Sequence, residues 1–325
     1  MVRTIPSPPR QATDAHKGDC GRLLVLAGSL GMSGAPALVG LAALRSGAGL
    51  VTIAVPRSIQ QAVASCCPCA TTIGLPETST GQIDPQAARS LFKDLGLLDP
   101  APVGNPPDCL LTGPGIGRGP GRYGRDFWEL INAFRNGPLV PAVIDADALN
   151  LIEKTGADRP DGWDGQFHFR TVITPHPGEL ARMHGVSIRE IQADRRGYAV
   201  RTANLMKASH DTPEYAPTVV LKGAGTVVTD GRRVYTNRTG NPGMATGGSG
   251  DVLTGIIGAL IGQGMDSFEA AVTGVYVHGL AGDMVAGKIG QISLIATDLI
   301  DALPQAFMKM TRSRKKTTAR RSASG

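Results

Sequence analysis

Five short apolar runs, each closed by a glycine, a proline or a polar residue, pace the first half of this chain and leave it few architectures. Residues 23–27 stop at Gly28, 50–55 at Pro56, 109–112 at Gly113, 140–144 at Asp145, and 171–173 at Thr174-Pro175-His176. Runs this short and continuous suit strands buried on both faces. Between and after them lie stretches of helical character at 35–45, 83–95 and 127–134, with one long helix predicted over 188–207. The alternation predicts an α/β fold, a mostly parallel sheet with helices on both faces and right-handed crossovers. Beyond residue 207 the rhythm changes. Residues 218–221, 226–229 and 234–236 read as short strands, and Asp230-Gly231 between two of them is a hairpin signal, so an antiparallel edge is expected. Two helices rich in small residues follow at 248–262 and 267–286.

No repeat or long linker interrupts residues 16–310, which are read as one domain between an N-terminal arm (1–15) and a basic tail (311–325). The net charge of +6 belongs to that tail. Six of the 33 basic residues lie in it with no acidic residue, and the remaining 27 match the 27 acidic ones. Rich in Ser, Thr and Ala, the tail reads as a disordered extension, and no specific nucleic-acid partner is expected. Aromatic residues are only 4%, too few for broad base-stacking surfaces. Residues 1–21 contain no apolar core of a signal peptide, and the apolar stretches at 252–261 and 23–27 are too short to span a bilayer. A cytoplasmic location with no membrane partner is therefore expected. Five cysteines, an odd count, suit a reducing compartment. Cys66, Cys67 and Cys69 include a C-x-x-C spacing but lack the second pair that a structural zinc needs, and read as ordinary thiols.

In open parallel sheets ligands bind beyond the carboxyl ends of the strands. Asn241-Pro-Gly-Met-Ala-Thr-Gly-Gly-Ser-Gly-Asp251, opening a helix, is the strongest single element. Glycines at 247, 248 and 250, with Ser249, strip side chains from a turn whose amides meet the positive end of that helix. Together they predict an anion hole for a phosphate. Asp251, in the first helical turn, reads as a general base beside it, with a plain helix cap as the alternative. His176, held between prolines, is a ligand contact or an ordinary turn residue. Asp145 and Asp147, with Asn150, are candidates to hold Mg²⁺ through waters, or to cap a helix. Lys222 with Gly223 and Gly225 is a phosphate cradle or a hairpin turn, and His278 reads as a packed histidine. Two other glycine motifs are discounted. Gly119-Pro-Gly121-Arg-Tyr-Gly124 carries a proline at its centre, and Gly282-Asp-Met-Val-Ala-Gly287-Lys288 is followed by Ile289 where a Walker loop needs Ser or Thr.

Taken in order, these segments resemble the NAD(P)H-hydrate dehydratases of the ribokinase-like superfamily. The resemblance is carried by His16-Lys17-Gly18, by Leu26-Ala27-Gly28-Ser29 with Met32-Ser33-Gly34-Ala35, and by residues 41–49. It continues through Thr112-Gly-Pro-Gly-Ile-Gly117, Ile144-Asp-Ala-Asp-Ala-Leu-Asn150 and Ile173-Thr-Pro-His-Pro-Gly-Glu179. Leu221-Lys-Gly-Ala-Gly-Thr226, Gly247-Gly-Ser-Gly-Asp-Val-Leu-Thr254 and Tyr276-Val-His-Gly-Leu-Ala-Gly282 complete it. What the resemblance implies is a three-layer ribokinase-like fold and an ADP- or ATP-dependent lyase. The nucleotide phosphorylates the C6 hydroxyl of hydrated NADH or NADPH, phosphate is eliminated, and the dihydronicotinamide is restored. Ala35, Gly115, His176 and Asp251 would contact the hydrated nucleotide, with Asp251 as base. Lys222, Gly223, Ala224, Gly225, Thr226 and Gly250 would hold the adenine nucleotide, with Mg²⁺ bridging its phosphates. A homotetramer, and a separate NAD(P)H-hydrate epimerase in the same pathway, are also implied, since residues 1–15 cannot form an epimerase domain. Phosphoryl transfer follows from the residues themselves; dehydration follows from the resemblance alone. An alcohol kinase of the same fold and a non-catalytic nucleotide sensor are the alternatives.

Overall fold

Side chains along the apolar runs alternate between two cores. The computed structural model describes residues 2, 4–9, 12–98, 106–119, 121–135, 140–156, 170–207 and 217–322. In β1 (Arg22–Leu26), Leu23 and Val25 enter one core while Leu24 and Leu26 enter the other, so neither face is left to water. The chain places β2 (Leu50–Pro56) and β3 (Thr71–Leu75) on one side of β1. It then crosses to the other side and adds β4 (Cys109–Thr112), β5 (Ala142–Ile144), β6 (Thr171–Ile173) and β7 (Thr218–Leu221), all parallel. β8 (Val227–Thr229) and β9 (Val234–Thr236) finish that side as antiparallel strands. The sheet order is β3-β2-β1-β4-β5-β6-β7-β8-β9. Growth reverses direction between β1 and β4, which opens a crevice at their carboxyl ends.

The helices are α1 (Gly34–Arg45), α2 (Gln60–Cys66), α3 (Pro85–Asp94), α4 (Tyr123–Arg135), α5 (Asp147–Gly156) and α6 (Pro177–His184). After them come α7 (Ile188–Ala193), α8 (Arg195–Leu205), α9 (Ser249–Gly262), α10 (Ser267–Ile289) and α11 (Ala296–Ser322). Residues of α1, α9, α10 and α11 form one core with the sheet, and residues of α3, α4, α5, α6 and α8 form the other. The starts of several helices are written in the local sequence. Asp84 accepts from the amide of Gln86 with Pro85 at the first position, and Asp266 accepts from Phe268 and Glu269. Asp230, in the expected hairpin, accepts from the amides of Arg232 and Arg233 and so turns β8 into β9.

Four features depart from the sequence reading. The long helix expected over 188–207 is two, α7 and α8, because Asp194 leaves the helical conformation and caps Gly197 at 2.8 Å. The tail read as disordered continues α11 as far as Ser322. Lys, Arg and Ala favour a helix, and propagation from a packed segment needs no new nucleus. β3, α2, α5, α6 and the body of α11 had no counterpart among the expected elements. The described part of the N-terminal arm joins the body. Val2 N donates to Val234 O at 2.8 Å, along the outer strand β9, and Thr273 Oγ1 donates to Pro6 O at 3.1 Å. Pro120 of the discounted glycine motif lies outside the described residues, and Gly282 to Lys288 lie within α10. All five cysteines are free. Among the described residues no helix is long and apolar enough to cross a membrane.

Candidate functional site

At the crevice between β1 and β4 the backbone segments touch. Gly28 N donates to Pro114 O at 2.9 Å, and Ser29 Oγ donates to Gly115 O at 2.7 Å. A first side-chain carbon at Gly115 would lie 3.2 Å from Ala35 Cβ and 3.1 Å from Met32 Cβ. Ala35 and Gly115, eighty residues apart in sequence, are thus direct neighbours. Gly113 holds φ 120°, and any side chain there would run into the carbonyl oxygen of Asp145. Backbone therefore approaches backbone on this side, which leaves a small, uncharged wall.

The other side is charged. Asp145, at the end of β5, is 1% exposed. Lys222 Nζ donates to its Oδ1 at 2.6 Å, and Thr254 Oγ1 donates to its Oδ2 at 2.8 Å. The next residue, Ala146, holds φ 50°, an uncommon left-handed conformation for alanine, and strain of this kind tends to cluster at working sites. Asp147 Oδ2 accepts from Gly117 N at 3.0 Å, and its Oδ1 accepts from Asn150 Nδ2 at 3.4 Å. Every oxygen of the two candidate cation ligands is therefore engaged by protein. Among the described residues no group of three His, Cys, Asp or Glu is arranged to hold a metal. Burial pulls the Lys222 ammonium toward the neutral form, but Asp145, Glu179 and Asp251 outweigh it and raise its pKa above the ordinary value.

The glycine turn faces this charged cluster. A short 3-10 turn (Pro242–Met244), capped by Asn241, leads into residues 245–248. Gly248, at φ 86°, is packed so closely that a side chain would meet Leu38 Cδ1 at 2.5 Å and Ala296 Cβ at 3.0 Å. That contact sets where α9 begins. Gly247 is exposed, and a Cβ there would have no neighbour within 4 Å, whereas a Cβ at Gly250 would lie 3.4 Å from Lys222 Nζ. Ser249, expected in the anion hole, is buried; its amide donates to Thr246 O at 3.4 Å, and its Oγ lies 3.3 Å from Nε2 of His278 beneath the loop. Burial holds the His278 ring down to about 4, so it is neutral and serves as packing and support, as its sequence context suggested. Among the described residues, the amides of Gly247, Gly248, Gly250 and Asp251 donate to no protein acceptor. Asp251 accepts no hydrogen bond from any described residue, so the cap alternative is not what its side chain does. Burial pushes its carboxyl up to about 7; Asp145 adds to the rise and Lys222 opposes it. A half-buried carboxylate that ionises near neutrality, beside unpaired amides at a helix N-terminus, can accept a proton next to a bound phosphate.

His176 starts a helix. Its Nδ1 accepts from the amides of Gly178 and Glu179 at 3.0 and 3.1 Å, and Glu179 Oε2 accepts from His176 N at 2.7 Å, a reciprocal cap that starts α6. Half of the ring stays open to solvent, with Nε2 3.3 Å from Glu179 Oε1. Glu179 itself is 5% exposed and pushed up to about 7 by burial. The 223–225 segment is exposed and forms the turn from β7 to β8, with Thr226 Oγ1 donating to Gly223 O at 2.9 Å. Below it, Arg195 Nη2 donates to the carbonyls of Leu221 and Lys222, each at 3.0 Å. Sequence reasoning assigned nothing to Thr254, Glu179 or Arg195. Thr254 and Arg195 act on partners 109 and 26 residues away, a distance no local pattern spans. Glu179 had a signal, since Glu three residues after a candidate cap is the capping-box spacing.

The family model described as NAD(P)H-hydrate dehydratase matches residues 23–305 of this chain. The chain belongs to the NAD(P)H-hydrate dehydratase family. It is 43% identical over 305 residues to the bifunctional NAD(P)H-hydrate repair enzyme of Moorella thermoacetica, covering 93% of this chain and 52% of that protein. It is 35% identical over 305 residues to the ADP-dependent (S)-NAD(P)H-hydrate dehydratase of Neisseria meningitidis, covering 93% and 90%. The chain thus spans about half the length of the bifunctional dehydratase-family relatives and nearly the whole length of the Neisseria protein. Among solved structures, the ADP/ATP-dependent NAD(P)H-hydrate dehydratase of Bacillus subtilis, co-crystallised with ATP and Mg²⁺, superposes with a TM-score of 0.73. That pair is 26% identical over 93% of this chain and 94% of the other. A ribokinase-like superfamily protein of Enterococcus faecalis, 24% identical over 93% and 92%, shares the fold at a TM-score of 0.72. The dehydratase family fold is therefore ribokinase-like, as the motif order implied.

Proposed function

We propose that this chain restores NADH and NADPH from their (S)-hydrates, with ADP or ATP phosphorylating the C6 hydroxyl before phosphate is eliminated. The observation that carries the chemistry is the Asp251 carboxylate, unpaired and ionising near pH 7, beside the unpaired amides of Gly247, Gly248, Gly250 and Asp251 itself. Family membership and the near full-length match to an ADP-dependent dehydratase support the substrate. That relative also favours ADP as donor, while the Bacillus protein was co-crystallised with ATP and Mg²⁺.

In this reading Asp251 takes the proton of the C6 hydroxyl as it attacks the terminal phosphoryl group. The amides of Gly247, Gly248 and Gly250 meet the charge that develops on that group's oxygens. Ala35 and Gly115 form the close wall against the hydrated ring, and the open side of the His176 ring borders it. Lys222, Gly223, Ala224, Gly225 and Thr226, with Gly250, hold the adenine nucleotide. An open, side-chain-free loop fits a phosphate. With the oxygens of Asp145 and Asp147 already engaged, Mg²⁺ fits as an ion carried mainly by the nucleotide phosphates, its usual arrangement. The domain is residues 16–310, acting in the cytoplasm as a homo-oligomer in the same pathway as an NAD(P)H-hydrate epimerase; the free cysteines are in keeping with that compartment.

Purified protein incubated with hydrated NADH and ADP or ATP regains dihydronicotinamide absorbance and releases one phosphate per turnover. A retained phosphorylated product would make it a kinase, and binding without turnover a sensor. Asp251→Asn lowers turnover by at least about 10²-fold; undiminished turnover in that variant removes Asp251 from the mechanism.

A further inference from the structure

We propose that Asp145, braced by Thr254, is a positioning residue that presents the Lys222 ammonium to the phosphoryl group at the 247–250 loop. The proposal rests on the phosphoryl-transfer reading and assigns work to a buried carboxylate that the reading does not use. Asp145 and Lys222 stand at the ends of β5 and β7, with β6 between them, so the long lysine side chain must lie across the carboxyl edge of β6 to reach its partner. Both ends of that side chain are fixed. The carbonyls of Leu221 and Lys222 accept from Arg195 Nη2, and Nζ donates to Asp145 Oδ1 at 2.6 Å.

What the ammonium faces is the loop. The space a Cβ would fill at Gly250 is 3.4 Å from Nζ and 3.7 Å from Asp145 Oδ2, so glycine at 250 keeps the gap between cation and loop open. An ammonium has three donors, and among the described residues Asp145 is the only acceptor Nζ has, which leaves two for oxygens arriving at the loop. Thr254 lies one helical turn after Gly250 on α9, so its hydroxyl ties Asp145 to the same helix whose N-terminus forms the anion hole. One carboxylate thus sets the spacing between a strand-borne cation and a helix-borne set of amides. A lysine paired only for stability needs no glycine opposite it and no tie to that helix.

The test is a double-mutant cycle on Asp145→Asn and Lys222→Met, read as kcat, KM and the dissociation constant for ADP, with melting temperature checked for each protein. Asp145→Asn is expected to lower kcat by about 10²-fold, the scale of losing one preorganised donor, with KM for hydrated NADH within about threefold. The double variant is expected to be no slower than Lys222→Met alone, because Asp145 acts through the lysine. Losses that multiply, or full kcat in Asp145→Asn, overturn the proposal. Thr254→Val removes the brace without touching charge and is expected to cost about tenfold in kcat, near the energy of one hydrogen bond to a charged group; it decides the matter if Asp145→Asn does not fold. If the wild type proves inactive on hydrated NADH, the substrate reading falls and ADP affinity decides this one. Equal weakening in Asp145→Asn and Lys222→Met upholds it, and unchanged affinity in Asp145→Asn sinks it.

Discussion

In the layer of α1, α9, α10 and α11 several contacts are made at glycines, whereas the opposite layer is filled mainly by rings. On the first side, a side chain at Gly255 would collide with the carbonyl of Val39 in α1. One at Gly258 would come within 2.5 Å of Leu111, and one at Gly274 within 2.7 Å of Ile257. On the second side, Phe92, Phe127 and Phe134 are fully buried, with Phe92 and Phe134 centroids 5.7 Å apart and Tyr123 stacked on Phe127 at 6.0 Å. Side chains can repack around a change of volume; contacts between main chains have little slack. The loop and Asp251 grow from α9, whose Gly255 packs directly on the backbone of α1, so their placement inherits the rigidity of that contact.

Three substitutions probe this contrast, beginning with the largest effect. Phe127→Ala is expected to cost about 3–5 kcal/mol of stability in urea unfolding, while kcat per folded molecule stays within about twofold. A matching collapse of kcat would show the ring-filled layer to be as tightly coupled to the site as its counterpart. Gly255→Ala is expected to cost less stability, about 1–3 kcal/mol, yet to lower kcat severalfold, because α9 must move off α1. Unchanged turnover there would break the comparison. The mildest change is Asp251→Asn, read as melting temperature. Its folded-state carboxyl is raised from 3.8 to about 7, so the proton-bound form favours folding. That contribution is complete below the ordinary pKa and is lost as pH climbs through 7. The Asn variant is therefore expected to gain a few degrees over wild type, with the gain growing from pH 4 to pH 8. In wild type, turnover falls with acidity below about pH 7 as the base becomes protonated. A melting-temperature gap independent of pH would mean that Asp251 is not a carboxylate raised by burial.

Most of the sheet was readable because buried parallel strands leave an unbroken apolar signature that ends abruptly. β3 was not. Thr71 and Thr72 open it, and as an edge strand it is partly exposed, so no apolar run marks it. α6 hid behind Thr174-Pro175-His176-Pro177, which looks like loop until Pro177 is taken as a first helical residue. Asp194 divides a stretch whose apolar spacing continues across the break, so periodicity alone could not find it. Within the candidate site, the bend at Gly248 and the helix start that carries Asp251 were legible because their signals lie within a few residues of each other. The pairing of Asp145 with Lys222 spans 77 residues and exists only because β5 and β7 flank β6. His176 was visible as a residue, but its cap on α6 depended on Glu179 turning back toward it.

The amide of Val2, resting on the carbonyl of Val234, bears on how these molecules behave in a crowd. β9 is the last strand of the sheet, and an uncovered outer strand is a template on which another chain can pair. A single rung contributed from the amino-terminal segment interrupts that template. Trimming the segment would leave the candidate site where it is but give neighbouring molecules a place to zip together, and losses would then appear as precipitation that worsens with concentration.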